Sequence, residues 1–416
     1  MKIACFLPFV DAAQVAASVA QLRADSLVSV IYLLAGPDAS RAEIPEGCSM
    51  IDIDTLTSSA TVRKIADAAK GSDYTLLYTK QNSLQLGYMA LRRMVRVAED
   101  SSAGMVYADY YAVVNGETTR NPVIDYQLGS LRDDFNFGSV LFFATSSLEL
   151  AAAGIDADYK AAGLYDLRLR LSRIAPIVHI NEYLYSDVEL YTRRSGEKMF
   201  DYVDPRNRAS QIEMEQAVTA HLKAIGGYLE PEFTDVDLTA GSFPVEVSVI
   251  IPVRNRVRTI SDAINSALSQ VTDFPFNVIV IDNHSTDGTT EAIDAIAAKD
   301  PRVIHLRPER TDLGIGGCWN LGINDPRCGR YAVQLDSDDV YANTDVLASV
   351  VRAFNEQNCA MVVGTYMLTD FNCNPIPPGV IDHREWTPDN GRNNALRING
   401  LGAPRCFYTP VLRELL

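Results

Sequence analysis

Several apolar runs in this chain carry hydrophobic residues at almost every position, and each run leads directly into a cluster of polar residues. The clearest are Val245–Val253 (VEVSVIIPV) and Asn277–Ile281 (NVIVI). A strand that is apolar on both faces is typical of a parallel sheet covered by helices on both sides. Between the two runs, Ile260, Ile264 and Leu268 recur at helical spacing. The order strand–helix–strand predicts an α/β domain with a mainly parallel sheet.

The N-terminal half shows the same rhythm. Lys2–Val10 is predicted to be a buried strand, the apolar residues that follow Asp11 have helical spacing, and Leu27–Ala35 is predicted to be a second strand. The first run superficially resembles a signal peptide, but it is short and Asp11 interrupts it before any cleavage site. We therefore interpret it as a strand followed by a helix.

Three segments of the first half resemble three segments of the second half, in the same order. They are Ser72–Tyr78 with Gly329–Leu335, Met105–Tyr110 with Met361–Tyr366, and Gly138–Leu150 with Gly402–Glu414. Any two α/β domains share some of this rhythm, but three matches in order favour an internal duplication. The sequence thus predicts two α/β sheets with the same strand order.

The two halves are separated by a polar stretch. Tyr191–Phe243 begins with charged residues, continues with one helical segment, and reaches Gly226-Gly227 where that helix is predicted to end. We predict a first domain at 1–190, a linker with a helix at 191–244, and a second domain at 245–416.

Composition excludes several classes of protein. The 416 residues are 47% hydrophobic, and 37 basic against 53 acidic residues give a net charge of −16. A chain this acidic is a poor general binder of nucleic acid, because phosphate binding depends on Lys and Arg. Seven cysteines without a CxxC pair indicate neither a disulfide framework nor a zinc ribbon. No apolar run approaches the length of a transmembrane helix, and we expect a cytoplasmic protein.

Two polar clusters follow neighbouring predicted strands of the second half. Pro252, Val253, Arg254 and Asn255 end the first strand, and Asp282-Asn283 ends the second. In open α/β sheets, ligands bind at the carboxyl ends of the strands. A carboxylate there can accept from a base N–H or a ribose hydroxyl, although a polar turn that caps the next helix would have the same composition.

A third cluster, Asp336-Ser337-Asp338-Asp339, follows the apolar run that begins at Tyr331. Alternate residues of an extended segment share a face, so the side chains of Asp336 and Asp338 can point the same way. Mg²⁺ and Mn²⁺ prefer such oxygen ligands and usually bind one or two carboxylates together with a substrate phosphate. The alternative interpretation is an acidic turn before the helix predicted at Asp345–Phe354.

Together these motifs resemble glycosyltransferase family 2, which has the GT-A fold. The resemblance covers about Val245–Leu416 and rests on VSVIIPVRNR, VIVIDNHSTDGTT and YAVQLDSDD, the last being the aspartate-rich DxD element. It implies that the residues from Pro252 to Asn255, with Asp282 and Asn283, line a nucleotide pocket. It further implies that Asp336 serves the ribose and that Asp336 and Asp338 hold Mn²⁺ or Mg²⁺ against the diphosphate. Arg254 and Asn283 depart from the family's usual aromatic residue and aspartate, which leaves the base open between uracil and guanine.

The first half has no comparable metal site. Thr79-Lys80-Gln81-Asn82 stands where the second half has its aspartates, and Lys80 would repel a cation. We therefore expect a degenerate, non-catalytic GT-A-like domain in which Asp166 is structural. The family's general base follows the segment that matches Gly402–Leu416, so we expect a truncated second domain whose base lies beyond Leu416 and whose sugar transfer is slow or absent. If transfer is robust, Asp382 and Glu385 are the first candidates for the base.

The leading hypothesis is a metal-dependent, inverting glycosyltransferase of bacterial polysaccharide or glycan synthesis. Its donor would be a UDP- or GDP-linked sugar and its acceptor a glycan or lipid-linked hydroxyl, with peripheral membrane association only through that acceptor. A nucleotidyltransferase also uses carboxylates at strand ends, but it usually needs a glycine-rich phosphate loop, and Pro252–Arg258 contains no glycine. A non-catalytic scaffold that binds sugar nucleotides is the third possibility.

Overall fold

The computed structural model describes residues 1–41, 43–189, 207–398, 401–402 and 404–415. Contacts divide the chain into two compact units. Unit 1 comprises Met1–Leu229 together with Arg384–Asn399, and unit 2 comprises Glu230–His383 together with Gly400–Leu416. The charged start of the predicted linker, residues 191–206, lies outside the described residues. The predicted domain boundaries at 190 and 245 stay a prediction.

Unit 1 alternates strands and helices through most of its length. Its strands are β1 (Ile3–Phe9), β2 (Val28–Ala35), β3 (Cys48–Asp52), β4 (Tyr74–Tyr78), β5 (Ser83–Leu86), β6 (Met105–Val114), β7 (Glu117–Asn121), β8 (Val140–Ala144) and β9 (Ile177–Val188). Its helices are α1 (Ala12–Ala24), α2 (Ser59–Ala68), α3 (Ala90–Ser101), α4 (Thr145–Ala153), α5 (Gly163–Leu171), α6 (Arg208–Ala224) and the late α11 (Asn394–Arg397). The first apolar run thus forms β1 and α1, and the predicted linker helix is α6.

Unit 2 has the same alternation. Its strands are β10 (Val247–Val253), β11 (Phe276–Asp282), β12 (Val303–Leu306), β13 (Tyr331–Gln334), β14 (Met361–Val363), β15 (Tyr366–Thr369), β16 (Pro375–Ile381) and β17 (Arg405–Tyr408). Its helices are α7 (Ile260–Leu268), α8 (Thr289–Ala297), α9 (Gly314–Asn324), α10 (Val346–Gln357) and α12 (Thr409–Leu415). The strands β15 and β16 form a separate antiparallel hairpin.

The two main sheets share one strand order. In unit 1 the order is β3-β2-β1-β4-β8-β6, continued by β9 and β5, with β7 paired to β6. In unit 2 the order is β12-β11-β10-β13-β17-β14. The first four strands of each sheet are parallel, and β8 and β17 run antiparallel to both of their neighbours. The predicted α/β class with mainly parallel central strands is confirmed, as is the matching strand order.

The match extends to register. Tyr74 pairs with Ala144 in unit 1, and Tyr331 pairs with Tyr408 in unit 2. These are the residues that the sequence comparison aligned with each other. Met105 paired with Phe143 and Met361 paired with Phe407 repeat the agreement one strand further along. A shared strand order with shared register supports the duplication hypothesis, whereas the degenerate character of the first copy stays a prediction.

Burial explains why these runs become strands. Every residue of β1, β10 and β11 is buried, as expected for parallel strands that are covered on both faces. All seven cysteines are free thiols. Within the described residues, no helix combines the length and the apolar character that crossing a membrane requires.

A late segment of the chain, Arg384–Asn399, belongs to unit 1 and is held there by a buried arginine. The side chain of Arg397 has no exposed surface. Its guanidinium donates to carboxylate Oδ2 of Asp133, to Oε1 of Gln211 at 2.8 Å and to Oδ1 of Asn394 at 2.8 Å. Nearby, the backbone N–H of Asn393 donates to Oε1 of Glu215 on α6 at 3.0 Å. A local sequence pattern does not predict this long-range packing.

We predict that Arg397→Met destabilises unit 1 by about 3–5 kcal/mol, because breaking a buried pair leaves an uncompensated carboxylate. The measurement is chemical denaturation of the parent and of the variants Arg397→Met, Asp133→Leu and Arg397→Met/Asp133→Leu. The double variant should lose less stability than the sum of the two single variants. Additive losses would show that the pair contributes no coupling.

A second prediction concerns His221, which is buried where α6 packs against α5. Burial, together with the charges of Arg173 and Arg168, lowers the pKa of His221 to about 4. The neutral ring therefore stabilises the fold above pH 6.5, and this stability is lost as the pH falls from 6.5 towards 4. We expect His221→Gln to remove an acid-induced loss on the order of 2 kcal/mol. Denaturation midpoints at pH 7.5 and pH 4.5 measure it, and parallel losses in parent and variant would contradict it.

Candidate functional site

The loops that follow β10 and β11 are fastened to each other by hydrogen bonds. The backbone N–H of Asn255 donates to Oγ of Ser285 at 2.9 Å, and the side-chain oxygen of Asn255 accepts from the N–H of Thr286 at 2.8 Å. The N–H of Arg256 donates to Oγ1 of Thr289 at 2.8 Å. Asn255 adopts a left-handed conformation with φ of 55°, which asparagine tolerates better than most residues. The two predicted clusters therefore form one edge of unit 2.

The carboxylate of Asp282 takes part in the hydrogen bonds that hold these loops. It is 3% exposed, and its Oδ1 accepts from the backbone N–H of Ser285 at 3.0 Å while its Oδ2 accepts from the hydroxyl of Thr290. Nε2 of His305 lies 3.7 Å from Oδ2. Burial alone would raise the pKa of Asp282, but the hydrogen bonds outweigh burial and hold the pKa below its usual value. Both carboxylate oxygens thus have protein partners.

Asn283 differs from Asp282 because its side-chain oxygen has no hydrogen-bond partner among the described residues. The residue is 9% exposed, and its backbone N–H donates to the carbonyl of Val253 at 2.8 Å. Its Oδ1 is buried and finds no hydrogen-bond partner among the described residues. A buried polar atom without a partner is costly, and such atoms are characteristic of sites that bind a ligand or a water molecule.

The three aspartates of the third cluster lie in the turn after β13. Asp336 accepts at Oδ1 from the side chain of Gln334 at 2.9 Å, and Gln334 in turn accepts from Arg405 at 2.6 Å. Asp338 is exposed, and Asp339 lies beside it. Loss of hydration around the carboxyl group, followed by the charges of Asp336 and Asp338, raises the pKa of Asp339 to about 6. Three acidic side chains therefore lie close together at this turn.

Arg256 connects this turn to the other two loops. Its Nε lies 3.5 Å from Oδ2 of Asp338, and both side chains are about half exposed. Arg256 comes directly after the predicted nucleotide residues and was not among them. The signal in the sequence is the alternation of Arg254, Arg256 and Arg258 after β10, which places basic side chains at the edge where anions would bind. Arg258 stacks over the ring of Phe371, which lies between β15 and β16, at 5.7 Å.

The remaining predicted residues have different surroundings. Pro252 and Val253 are buried inside β10, where they pair with Ile281 and Asp282. Arg254, by contrast, is exposed. The roles predicted for these residues in nucleotide binding stay predictions.

The carboxylates of the aspartate turn provide the oxygen ligands that a divalent cation needs when a phosphate also binds it. Among the described residues, no three His, Cys, Asp or Glu side chains are grouped to hold a metal ion alone. Mg²⁺ and Mn²⁺ usually need only one or two carboxylates, with substrate phosphate and water completing the shell. Asp336 and Asp338 provide two carboxylates at this turn, so the chemistry of the donor set is suitable for such a cation.

Asp382 and Glu385 are the first candidates for a general base if transfer is robust, and Asp382 directly follows β16 in unit 2. Glu385 lies in unit 1, where its carboxylate pairs with Arg208 at 3.0 Å. Asp166, which the sequence assigned to a structural role, is 3% exposed and pairs with Arg170 at 2.9 Å. We assign no catalytic base.

Comparison with known proteins found similarity mainly in the second half of the chain. Residues 248–414 match the family described as Glycosyl transferase family 2. An uncharacterised glycosyltransferase of Rickettsia felis is 28% identical over 213 residues, which are 47% of this chain and 34% of that protein. An uncharacterised glycosyltransferase of Haemophilus influenzae is 34% identical over 131 residues, or 31% of this chain and 50% of that protein.

Among solved structures, Staphylococcus aureus TarS 1–349 in complex with UDP-GlcNAc matches with a TM-score of 0.33 and 21% identity, over 41% of this chain and 47% of that one. The chain spans about a third of the length of the Rickettsia relative that it matches. Residues 248–414 of this chain thus match glycosyl transferase family 2, and the main sheet of unit 2 has the parallel central strands of an α/β domain. The family resemblance stated from the three motifs is thereby confirmed for this half.

We predict that Asp282→Ala destabilises unit 2 by about 1–3 kcal/mol, because the Ser285 N–H and the Thr290 hydroxyl lose their buried acceptor. Asp282→Asn keeps the shape and one acceptor oxygen, so it should cost less. Thermal denaturation of both variants measures the difference. Unchanged stability of Asp282→Ala would show that this carboxylate is free to serve a ligand.

Proposed function

We propose that this protein transfers a sugar from a nucleoside-diphosphate sugar to an acceptor hydroxyl, with Mn²⁺ or Mg²⁺ held at the end of β13. The observation that carries the proposal is the ion pair between Arg256 and Asp338, which links the loop after β10 to the aspartate turn. Both residues lie in the segment that matches glycosyl transferase family 2. A diphosphate carries negative charge that basic side chains and a divalent cation can bind together.

In this proposal each loop has a distinct task. Asp336 and Asp338 hold the cation, and Arg256, released from Asp338 by it, contacts the diphosphate. A divalent cation held there would supply positive charge next to the departing nucleoside diphosphate. The side-chain amide of Asn283 contacts the base of the nucleotide, because its Oδ1 has no partner among the described residues. An amide both donates and accepts, so a uracil or a guanine can pair with it.

The finer parts of the hypothesis rest on the family resemblance alone. They are inversion at the anomeric carbon, a UDP- or GDP-linked donor, a glycan or lipid-linked acceptor, a place in polysaccharide synthesis, and a cytoplasmic protein associated with the membrane only through its acceptor. The second candidate, nucleotidyl transfer, would need a free phosphate-binding loop after β10. The backbone N–H groups of Asn255 and Arg256 are already bound to Ser285 and Thr289, which favours sugar transfer.

We predict that Asp338→Asn abolishes the Mn²⁺-dependent part of nucleotide binding, because it removes a charged ligand of the cation. Calorimetry with UDP and GDP, each with and without Mn²⁺, measures this loss. The matched control is Asp273→Asn, the same change at an exposed carboxylate in the loop before β11, at the opposite edge of the sheet. Equal Mn²⁺-dependent affinity in Asp338→Asn and parent would contradict the metal assignment.

Turnover separates the candidate functions. Incubation with UDP- and GDP-sugars should release nucleoside diphosphate in the presence of Mn²⁺. Release of pyrophosphate from a nucleoside triphosphate with a sugar phosphate would instead indicate nucleotidyl transfer. Tight binding of sugar nucleotides without any turnover, in this chain and in a form extended beyond residue 416, would indicate a scaffold.

A further inference from the structure

Unit 1 contains a cleft at the edge that corresponds to the candidate site of unit 2. The cleft has a volume of about 610 Å³ and lies at the carboxyl ends of β1, β2, β3 and β4. This volume is within the range of about 300–1,000 Å³ that is typical of small-molecule sites. The residues that matter for its chemistry are Phe9, Gly36, Asp38, Asp54, Thr79 and Gln81. Because the two sheets share strand order, β1 to β4 take the places of β10 to β13.

The charges at this edge differ from those in unit 2. After β10 the chain carries three arginines, whereas after β1 it carries Asp11, whose carboxylate accepts from the backbone N–H of Gln14 at 2.8 Å and caps α1. None of the residues that line the cleft is a lysine or an arginine. Arg41, which follows the lining segment in sequence, pairs with Asp52. A phosphate in this cleft would therefore face the carboxylates of Asp38 and Asp54 with no basic side chain among the lining residues.

The turn after β4 also lacks the chemistry of a metal site. Lys80 and Asn82 both donate to the carboxylate of Asp187, a residue that is 2% exposed and that also accepts from the hydroxyl of Tyr78 at 2.8 Å. The amino group of Lys80 is therefore tied to a buried acid. The Thr79 hydroxyl donates to the carbonyl of Ser139 at 3.2 Å. Unit 1 thus has a cleft at this edge, but its lining residues include neither the aspartate turn nor the arginines that unit 2 has at the corresponding edge.

The groups that remain suit a ligand rich in hydroxyls. Asp38 is exposed and has no hydrogen-bond or ion-pair partner among the described residues, and the amide of Gln81 is exposed beside the cleft. Ionised carboxylates only accept hydrogen bonds, and hydroxyls can donate to them without adding charge. Phe9, Val10, Ile53 and Leu56 add apolar wall, against which the C–H faces of a sugar ring can pack.

We propose that this cleft of unit 1 is a binding site for an uncharged saccharide. The proposal goes beyond sugar transfer in unit 2 and does not depend on it. It assigns the first half of the chain a ligand of its own, chemically distinct from a nucleotide: a polyhydroxylated molecule without phosphate or carboxylate groups.

Gly36 provides a steric test of the site. It lines the cleft, its φ lies outside the left-handed region, and a Cβ built on it meets no atom within 4 Å. A larger side chain there should fill the cleft without straining the backbone. Gly36→Leu is therefore the blocking variant, and Gly36→Ala is its matched control with the same loss of backbone freedom but little added volume.

The experiment uses the full chain and a panel of uncharged oligosaccharides built from glucose, galactose, mannose and N-acetylglucosamine. Array binding selects a saccharide, and calorimetry then measures its affinity. We expect Gly36→Leu to abolish binding, Gly36→Ala to retain it, and Asp38→Ala or Gln81→Ala to weaken it by about tenfold each. Thermal denaturation confirms that each variant is folded. Asp338→Asn, which acts on unit 2, should bind the saccharide as the parent does.

Three results would overturn the proposal. The first is that no saccharide of the panel binds to the parent. The second is that a saccharide binds equally well to Gly36→Leu, which would place its site elsewhere. The third is that UDP or pyrophosphate binds to the parent and loses affinity in Gly36→Leu but not in Asp338→Asn, which would make the cleft an anion site. A failure of Mn²⁺-nucleotide binding in the parent, by contrast, would affect only the function proposed for unit 2.

Discussion

Parallel pairing of β10 with β11 on one side and β13 on the other is the constraint on which the candidate site depends. Val253 pairs with Asp282, and Ile250 pairs with Gln334. Because parallel strands end at the same edge of a sheet, this register brings the three loops to one place. The driving force is the burial of strands that are apolar on both faces. The polar side chains at this edge are thus positioned by buried apolar strand residues that do not themselves contact a ligand.

Those parts of the structure that follow from local patterns were predictable from the sequence. Continuous apolar runs predicted β1, β10 and β11, and the aligned segments predicted which residues of β4 and β8 correspond to those of β13 and β17. In each case the cause is confined to a few neighbouring residues, so the sequence pattern contains it.

Other features depend on partners that are distant in the sequence, and no local pattern contains them. Arg397 is a charged residue in a polar stretch, yet it is fully buried because Asp133 and Gln211 receive its guanidinium. The role predicted for Asp282 in a nucleotide pocket stays a prediction, but its carboxylate also accepts from Ser285 in the following loop and from Thr290 in α8. Whether a carboxylate at a strand end serves a ligand or its own loop is decided by the side chains that surround it, and spacing alone does not distinguish the two.

A comparison of the two sheets distinguishes the contacts that the shared fold needs from the contacts that are specific to one unit. The N–H of Thr145 donates to the carbonyl of Asp73, and the N–H of Thr409 donates to the carbonyl of Arg330, so each half begins a helix in the same way. Features common to both edges, such as this one, belong to the fold. Among the described residues, Arg256 pairs with Asp338 in unit 2, whereas Lys80 pairs with the buried Asp187 at the corresponding edge of unit 1. A fold does not by itself imply a function, and these differences are where we expect the functions of the two halves to diverge.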